Sequence, residues 1–329
     1  MKRIRSYLFI IAVAYGGLLF LPSCKEKNEV FPPKVWSEYP YSGAAQPKTE
    51  ITAIFFDSDH SFWLGLKDKD GLLYNDGYAW KRFDITTTGI EIDSVTAIVR
   101  DGNNKLWIGS KDGLACFDGL SWSKIAALEN KSVSSIAVEG IGNLWVGLKG
   151  STKGVAYLHN NVWTIFNKDN TGGILDSEIN AIAIDHNQLV WLATKDQGII
   201  KRDQYHNWQF MTLYGYIDTV NFSCLATATD GSVWASNAAS QLVHFQTGEF
   251  SILETGTGKP ITSMLFAEDG TLWCGTLGAG LLKFDGSIWK SYTVANADLP
   301  SDNVYCLTKG FDGDLFFTTT GGRLLYLKP

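Results

Sequence analysis

The residues best suited to bond-making chemistry do not assemble into a recognisable set. The five histidines, His60, His159, His186, His206 and His244, stand singly. No two have metal-ligand spacing, and the sequence contains no HExxH, GxSxG or P-loop motif. Lys67-Asp68-Lys69-Asp70-Gly71 opens like a calcium loop, but the later acidic ligands that would complete the oxygen shell do not follow. Cys116, Cys224, Cys274 and Cys306 form no CxxC pair and fall within strand-like runs, where small buried thiols are the expected state. The sequence therefore calls for no catalytic constellation, no metal and no cofactor. It offers instead charge and hydrogen-bonding capacity at places that recur. Glu50, Ser94, Ser132, Glu178, Asn221 and Asn303 occupy one recurring position, with Asp93, Lys131 and Asp302 one residue upstream. Lys67, Asp68, Lys111, Asp112, Lys149, Lys195 and Asp196 cluster at a second. Tyr214 and Tyr216 add aromatic rings in a loop beside them.

The element that spaces these residues is a short aromatic stretch. Leu106-Trp107-Ile108-Gly109 has counterparts around Trp63, Trp145, Trp191, Trp234, Trp273 and Phe316, and successive anchors lie 38 to 46 residues apart. A period in the low forties marks a repeat architecture. Twelve and nine residues before every anchor the side chain is apolar, as in Val95-Thr96-Ala97-Ile98, and these β-branched runs predict a first strand. A turn follows, with Asp-Gly in four repeats, suited to the positive φ of tight hairpins. The anchor stretch is a second strand. A third, usually opened by Gly, and a fourth carrying Trp80, Trp122, Trp163, Trp208, Phe250 or Trp289 complete the unit.

Each repeat is thus a four-stranded antiparallel meander with two apolar faces. Such a sheet is stable only between neighbours, and radial stacking supplies them. The expected fold is all-β, a seven-bladed β-propeller over residues 35–329. The last repeat lacks a fourth strand, while Val35-Trp36-Ser37-Glu38-Tyr39 resembles Ile288-Trp289-Lys290-Ser291-Tyr292. Residues 35–40 are therefore expected to join the C-terminal blade and close the ring, removing open sheet edges. The twelve tryptophans divide evenly between second and fourth strands, so all are assigned to packing. The connections between repeats and those between second and third strands then share one end, the mouth. It is charged on blades 1–4 and neutral on blades 5–7, where Asn237, Leu277 and Thr319 stand.

The first residues are of another kind. Lys2, Arg3 and Arg5 precede an apolar run from Tyr7 to Leu21, too short to span a bilayer and read as a secretory leader over 1–23. Leu21-Pro22-Ser23-Cys24 resembles the bacterial lipoprotein box, which implies lipid on Cys24 and a tether over 24–34. Lys25, in place of an inner-membrane retention Asp, points to the outer membrane. Loss of the leader takes the net charge from −6 to −9, which argues against nucleic acid as a partner.

The pattern Val-x-Ala-Ile…Asp…Leu-Trp-Ile-Gly-Ser…Gly-Leu…Phe-Asp-Gly…Trp, whole in residues 95–122, resembles the two-component regulator propeller repeat. So does Leu299-Pro300-Ser301-Asp302-Asn303-Val304. The fifth repeat departs most, with Phe250 for Trp and Ser240 for Gly. In that family the repeats build envelope-exposed sensor domains of hybrid sensors, ahead of a membrane helix and a kinase. This sequence shows neither a later apolar span nor a kinase, so the resemblance implies binding without phosphorelay. The expectation is a non-enzymatic, membrane-anchored propeller that recognises a protein or carbohydrate ligand at its mouth. Two alternatives are a lyase of propeller type and a scaffold in outer-membrane protein assembly.

Overall fold

The computed structural model describes residues 36–41, 47–57, 60–211, 213, 215–310 and 312–328. The leader, Cys24, the tether, Val35 and Tyr214 lie outside the described residues. Seven four-stranded antiparallel sheets form the propeller. Its inner strands are Ile51–Phe56, Val95–Arg100, Val133–Glu139, Ile179–Ile184, Phe222–Thr227, Ile261–Phe266 and Val304–Lys309. Each packs against the inner strands of both neighbours, so the ring is continuous. The seventh blade runs Val304–Lys309, Leu315–Thr319, Arg323–Leu327 and then Trp36–Glu38. Trp36 faces Leu327 as Trp289 faces Phe284, which makes the N-terminal strand the fourth strand of the last blade.

The anchor stretches are buried, throughout in the strand Leu106–Ser110 and at all but Asn143 in Asn143–Leu148. Small residues after the anchor let neighbouring blades approach. A Cβ on Gly65 would sit 2.4 Å from Val95 Cγ1, and one on Gly109 2.6 Å from Val133 Cγ1. Outer-strand tryptophans meet the anchor of the preceding blade nearly edge-on. Trp63–Trp122, Trp107–Trp163 and Trp145–Trp208 have ring centroids 6.2, 6.3 and 6.0 Å apart. Such contacts add about 0.5–1.5 kcal/mol each to the burial itself. Several indole N–H groups are also satisfied locally: Trp107 Nε1 donates to Asp101 Oδ2 and Trp191 Nε1 to Asp185 Oδ2, both at 2.9 Å. The four cysteines among the described residues are free, three of them buried.

The inner strands hold a feature the periodicity does not announce. Every one carries a register shift at its second residue. A bulge leaves that residue without a cross-strand partner and bends the strand. It also accounts for the odd spacing between the two apolar positions, which simple burial of both faces does not. In six blades the bulged residue is Thr52, Thr96, Ser134, Asn180, Ser223 or Thr262. Its side chain donates to the carbonyl that opens the next inner strand, as Thr52 does to Val95 at 2.5 Å, Thr96 to Val133 at 2.9 Å and Asn180 to Phe222 at 2.7 Å. Ser134, Ser223 and Thr262 repeat the contact with Ile179, Ile261 and Val304. At the closing joint the shift spans Tyr305 and Cys306, and Thr318 Oγ1 reaches the Ile51 carbonyl at 3.3 Å instead.

The turns correct one detail. Gly231, Gly270 and Gly313 take positive φ as the Asp-Gly pairs suggest, but in Asp101-Gly102 the left-handed residue is Asn104, at φ 65°. Asp101 caps that turn, accepting from the Asn103 and Lys105 amides.

Candidate functional site

The mouth is built by backbone pairing between two kinds of loop. The residue four after the anchor donates its N–H to the carbonyl thirteen before it: Lys67 to Glu50, Lys149 to Ser132, Lys195 to Glu178, Ala238 to Asn221 and Leu277 to Pro260, at 2.8–3.1 Å. In blade 2, Ser94 turns left-handed at φ 52°, and Lys111 bonds the Asp93 carbonyl one residue earlier. These bonds bring the two recurring sets of polar residues together at one end.

Much of the rim charge is matched within the rim. Lys67 Nζ lies 2.9 Å from Glu50 Oε2, and Lys195 Nζ 3.2 Å from Glu178 Oε2. Glu178 Oε1 also accepts from Gly150 N at 3.3 Å. Lys69 pairs with Glu91 at 2.5 Å and Lys153 with Asp176 at 2.7 Å. Asp93 accepts from the Ser94 hydroxyl, and Asp196 from the Ser177 hydroxyl. Asp302 works as a brace: its carboxylate accepts from Val294 N and its carbonyl from Gly278 and Gly280. Asn303 bridges to Leu277. Asn221 Oδ1 lies 3.4 Å from Asn180 Nδ2. Tyr216 is exposed and leans on Phe250 with centroids 5.3 Å apart.

Asp112 supports its neighbour by its carbonyl, which accepts from Asn130 N. On blades 5–7, Asn237 and Thr319 are fully buried, so they belong to the core of the mouth rather than its rim. Burial holds the half-buried Lys149 ammonium below the usual lysine range; Glu178 opposes that shift and Lys195 adds to it. The hydrogen bond to Glu50 moves Lys67 the other way. Sequence reasoning did not single out Tyr305, a large aromatic side chain at the bulge position where the other six blades carry Thr, Ser or Asn. The break in the Ser/Thr pattern at that position was its signal.

The histidines lie elsewhere. His60 and His186 stand in turns between inner and second strands, His206 in a turn between third and fourth, and His159 ends a third strand. His244 lies within the third strand of blade 5, stacked on Trp234 at 4.4 Å. In the 67–71 segment, Asp70 pairs with Arg82 at 3.1 Å, and no group of three metal-binding side chains occurs among the described residues. Among those residues no helix is long and apolar enough to cross a membrane.

Residues 89–112 match the family described as Two component regulator propeller. That match spans one repeat of the chain. The chain is similar in fold to the extracellular domain of the hybrid two component system BT3049 from B. thetaiotaomicron, with a TM-score of 0.76, 16% identity, and coverage of 91% of this chain and 41% of that one. Virginiamycin B lyase of Staphylococcus aureus, solved with quinupristin as a catalytically inactive His-to-Ala variant, has a TM-score of 0.73 at 10% identity, over 89% of this chain and 99% of the lyase. PorZ, a surface component of the type-IX secretion system of Porphyromonas gingivalis, has a TM-score of 0.70 at 17% identity, over 88% of this chain and 48% of PorZ. The chain thus spans less than half of BT3049 and of PorZ. No curated protein matches the sequence.

Proposed function

We propose that this propeller is a non-enzymatic binding module of the bacterial envelope, lipid-anchored at Cys24, that recognises a protein or glycan at its mouth. The observation that supports this most is the assembly of charged loops from four consecutive blades at one end of a rigid ring. Loops on a rigid scaffold are where recognition usually resides. Similarity to the extracellular domains of two component systems favours a sensor-like role over catalysis, by analogy of fold. A lyase reading would have to draw its general acid or base from rim groups such as Glu50 and Glu178, because the histidines stand away from the mouth loops.

The test is capture of envelope proteins and glycans by the purified protein, repeated with Glu178→Ala and Tyr216→Ala. A ligand retained by the parent and lost by these variants supports the mouth. Turnover of a captured ligand, abolished by Glu50→Ala or Glu178→Ala, would establish an enzyme instead. Similarity to PorZ favours a second reading, a scaffold in outer-membrane assembly. Co-purification of a multi-protein membrane complex distinguishes it from glycan binding. The anchor has its own check: Cys24→Ala should leave the membrane fraction.

A further inference from the structure

The rim lysines form a series. Lys67, Lys111, Lys149 and Lys195 occupy the same position in four consecutive blades. In blades 1 and 4 the paired position is Glu50 or Glu178, and the lysine is neutralised. In blades 2 and 3 it is Ser94 or Ser132. Among the described residues Lys111 and Lys149 accordingly form no ion pair, and neither does Lys131, next to Ser132. Among the described residues Glu178 acts on Lys149 without pairing with it, while its two oxygens accept from Lys195 Nζ and Gly150 N.

The loops are contiguous. Asn130 N bonds the Asp112 carbonyl, Lys149 N the Ser132 carbonyl, and Gly150 N the Glu178 carboxylate. The carboxylates Asp93 and Asp112 stand at the blade 2 end of this arc, where Asp93 accepts from the Ser94 hydroxyl. Of the large apolar side chains that the surface exposes, none stands on the loops carrying Lys111, Lys131 or Lys149.

We propose that this arc on blades 2 and 3, centred on the half-buried Lys149, binds the carboxylate or sulfate of an acidic saccharide. The inference rests on the mouth reading above and narrows it. Unmatched ammonium groups beside serine hydroxyls suit an oxyanion. A protein partner would instead be met by exposed aromatic or aliphatic side chains, which the described loops of this arc do not present. Half-buried in the free protein, Lys149 has less hydration left to lose when an oxyanion pairs with it.

The experiment measures affinity of the full chain for a panel of uronate- and sulfate-bearing oligosaccharides, their neutral counterparts and a glutamate-rich peptide. Acidic sugars should bind at least about tenfold tighter than neutral ones, and weaken as salt is raised. Lys149→Met should cost about tenfold, Lys149→Arg should retain most of the affinity, and Lys124→Met on an outer strand should change nothing. Equal binding of neutral sugars, preference for the peptide, indifference to Lys149→Met, or no binding across the panel overturns the proposal. Binding that responds to Glu178→Ala or Tyr216→Ala but ignores Lys149→Met removes this inference alone. Binding indifferent to all three removes the mouth reading as well.

Discussion

Single residues mark where this propeller departs from its own repeat. Third strands usually open on glycine at positive φ, and at Gly280 an added Cβ would lie 1.9 Å from the Tyr292 carbonyl oxygen. Blade 5 puts Ser240 there, at φ 69°, with its hydroxyl buried and unpartnered. Both conditions are costly, so Ser240→Gly should stabilise by about 1 kcal/mol, seen as a higher melting temperature. A lower one would show that the serine is satisfied. His244 is a second such residue. Burial lowers its pKa below the usual histidine value, and Asp230 opposes the shift only in part. Between that lowered value and about 6.5 the unfolded chain binds more protons than the folded one, so stability falls as pH drops through this window. From pH 7.5 to 5.5 the parent should lose more stability than His244→Phe; equal losses would assign the acid sensitivity elsewhere.

At the scale of elements, the bulged inner strand couples blade to blade. Thr96→Val keeps the shape but leaves the Val133 carbonyl without the Thr96 hydroxyl, and should cost about 1–2 kcal/mol in denaturant unfolding with an unchanged slope. A cost near zero would mean that the side-chain bonds around the ring are incidental. This device was hard to read in the sequence because a Thr or Ser in a strand ordinarily faces solvent, and a bulge leaves no residue signature of its own. The blade boundaries were legible for the opposite reason. Trp107 and its counterparts are too large to sit anywhere but between sheets, so their period reports the packing directly. The rim falls between these cases. Position four after the anchor and position thirteen before it were both visible as polar series, but what joins them in five blades is a backbone hydrogen bond, which side-chain types do not encode; ion pairs are added at Lys67–Glu50 and Lys195–Glu178. Asp302 reads as a ligand group in the sequence, and the structure adds that its carboxylate accepts from Val294 N, a bond that residue types alone do not announce.

For the whole molecule, closure depends on six residues at the start of the described chain. Trp36 is 2% exposed, Tyr39 packs on Phe62 and Phe316, and Tyr41 OH donates to the Gly322 carbonyl at 3.1 Å. Deleting residues 36–41 should cost at least about 4 kcal/mol and promote association through the bared Arg323–Leu327 strand, measured by melting and sedimentation. A peptide of residues 36–41 added in trans should restore part of the loss. An unchanged melting temperature would mean that the ring holds without its clasp.

That same joint fixes an order of events. Tyr41 and Gly322 are 281 residues apart. Six blades are assembled from contiguous chain, but the seventh needs the first strand and the last three. A growing chain therefore accumulates blades with two unsatisfied flanks, and the circle is completed only when residues 323–327 arrive. Contacts of such separation form slowly. Pairing of Trp36–Glu38 with Arg323–Leu327 is then the contact expected to form last, and a chain cut short before residue 323 leaves the ring open.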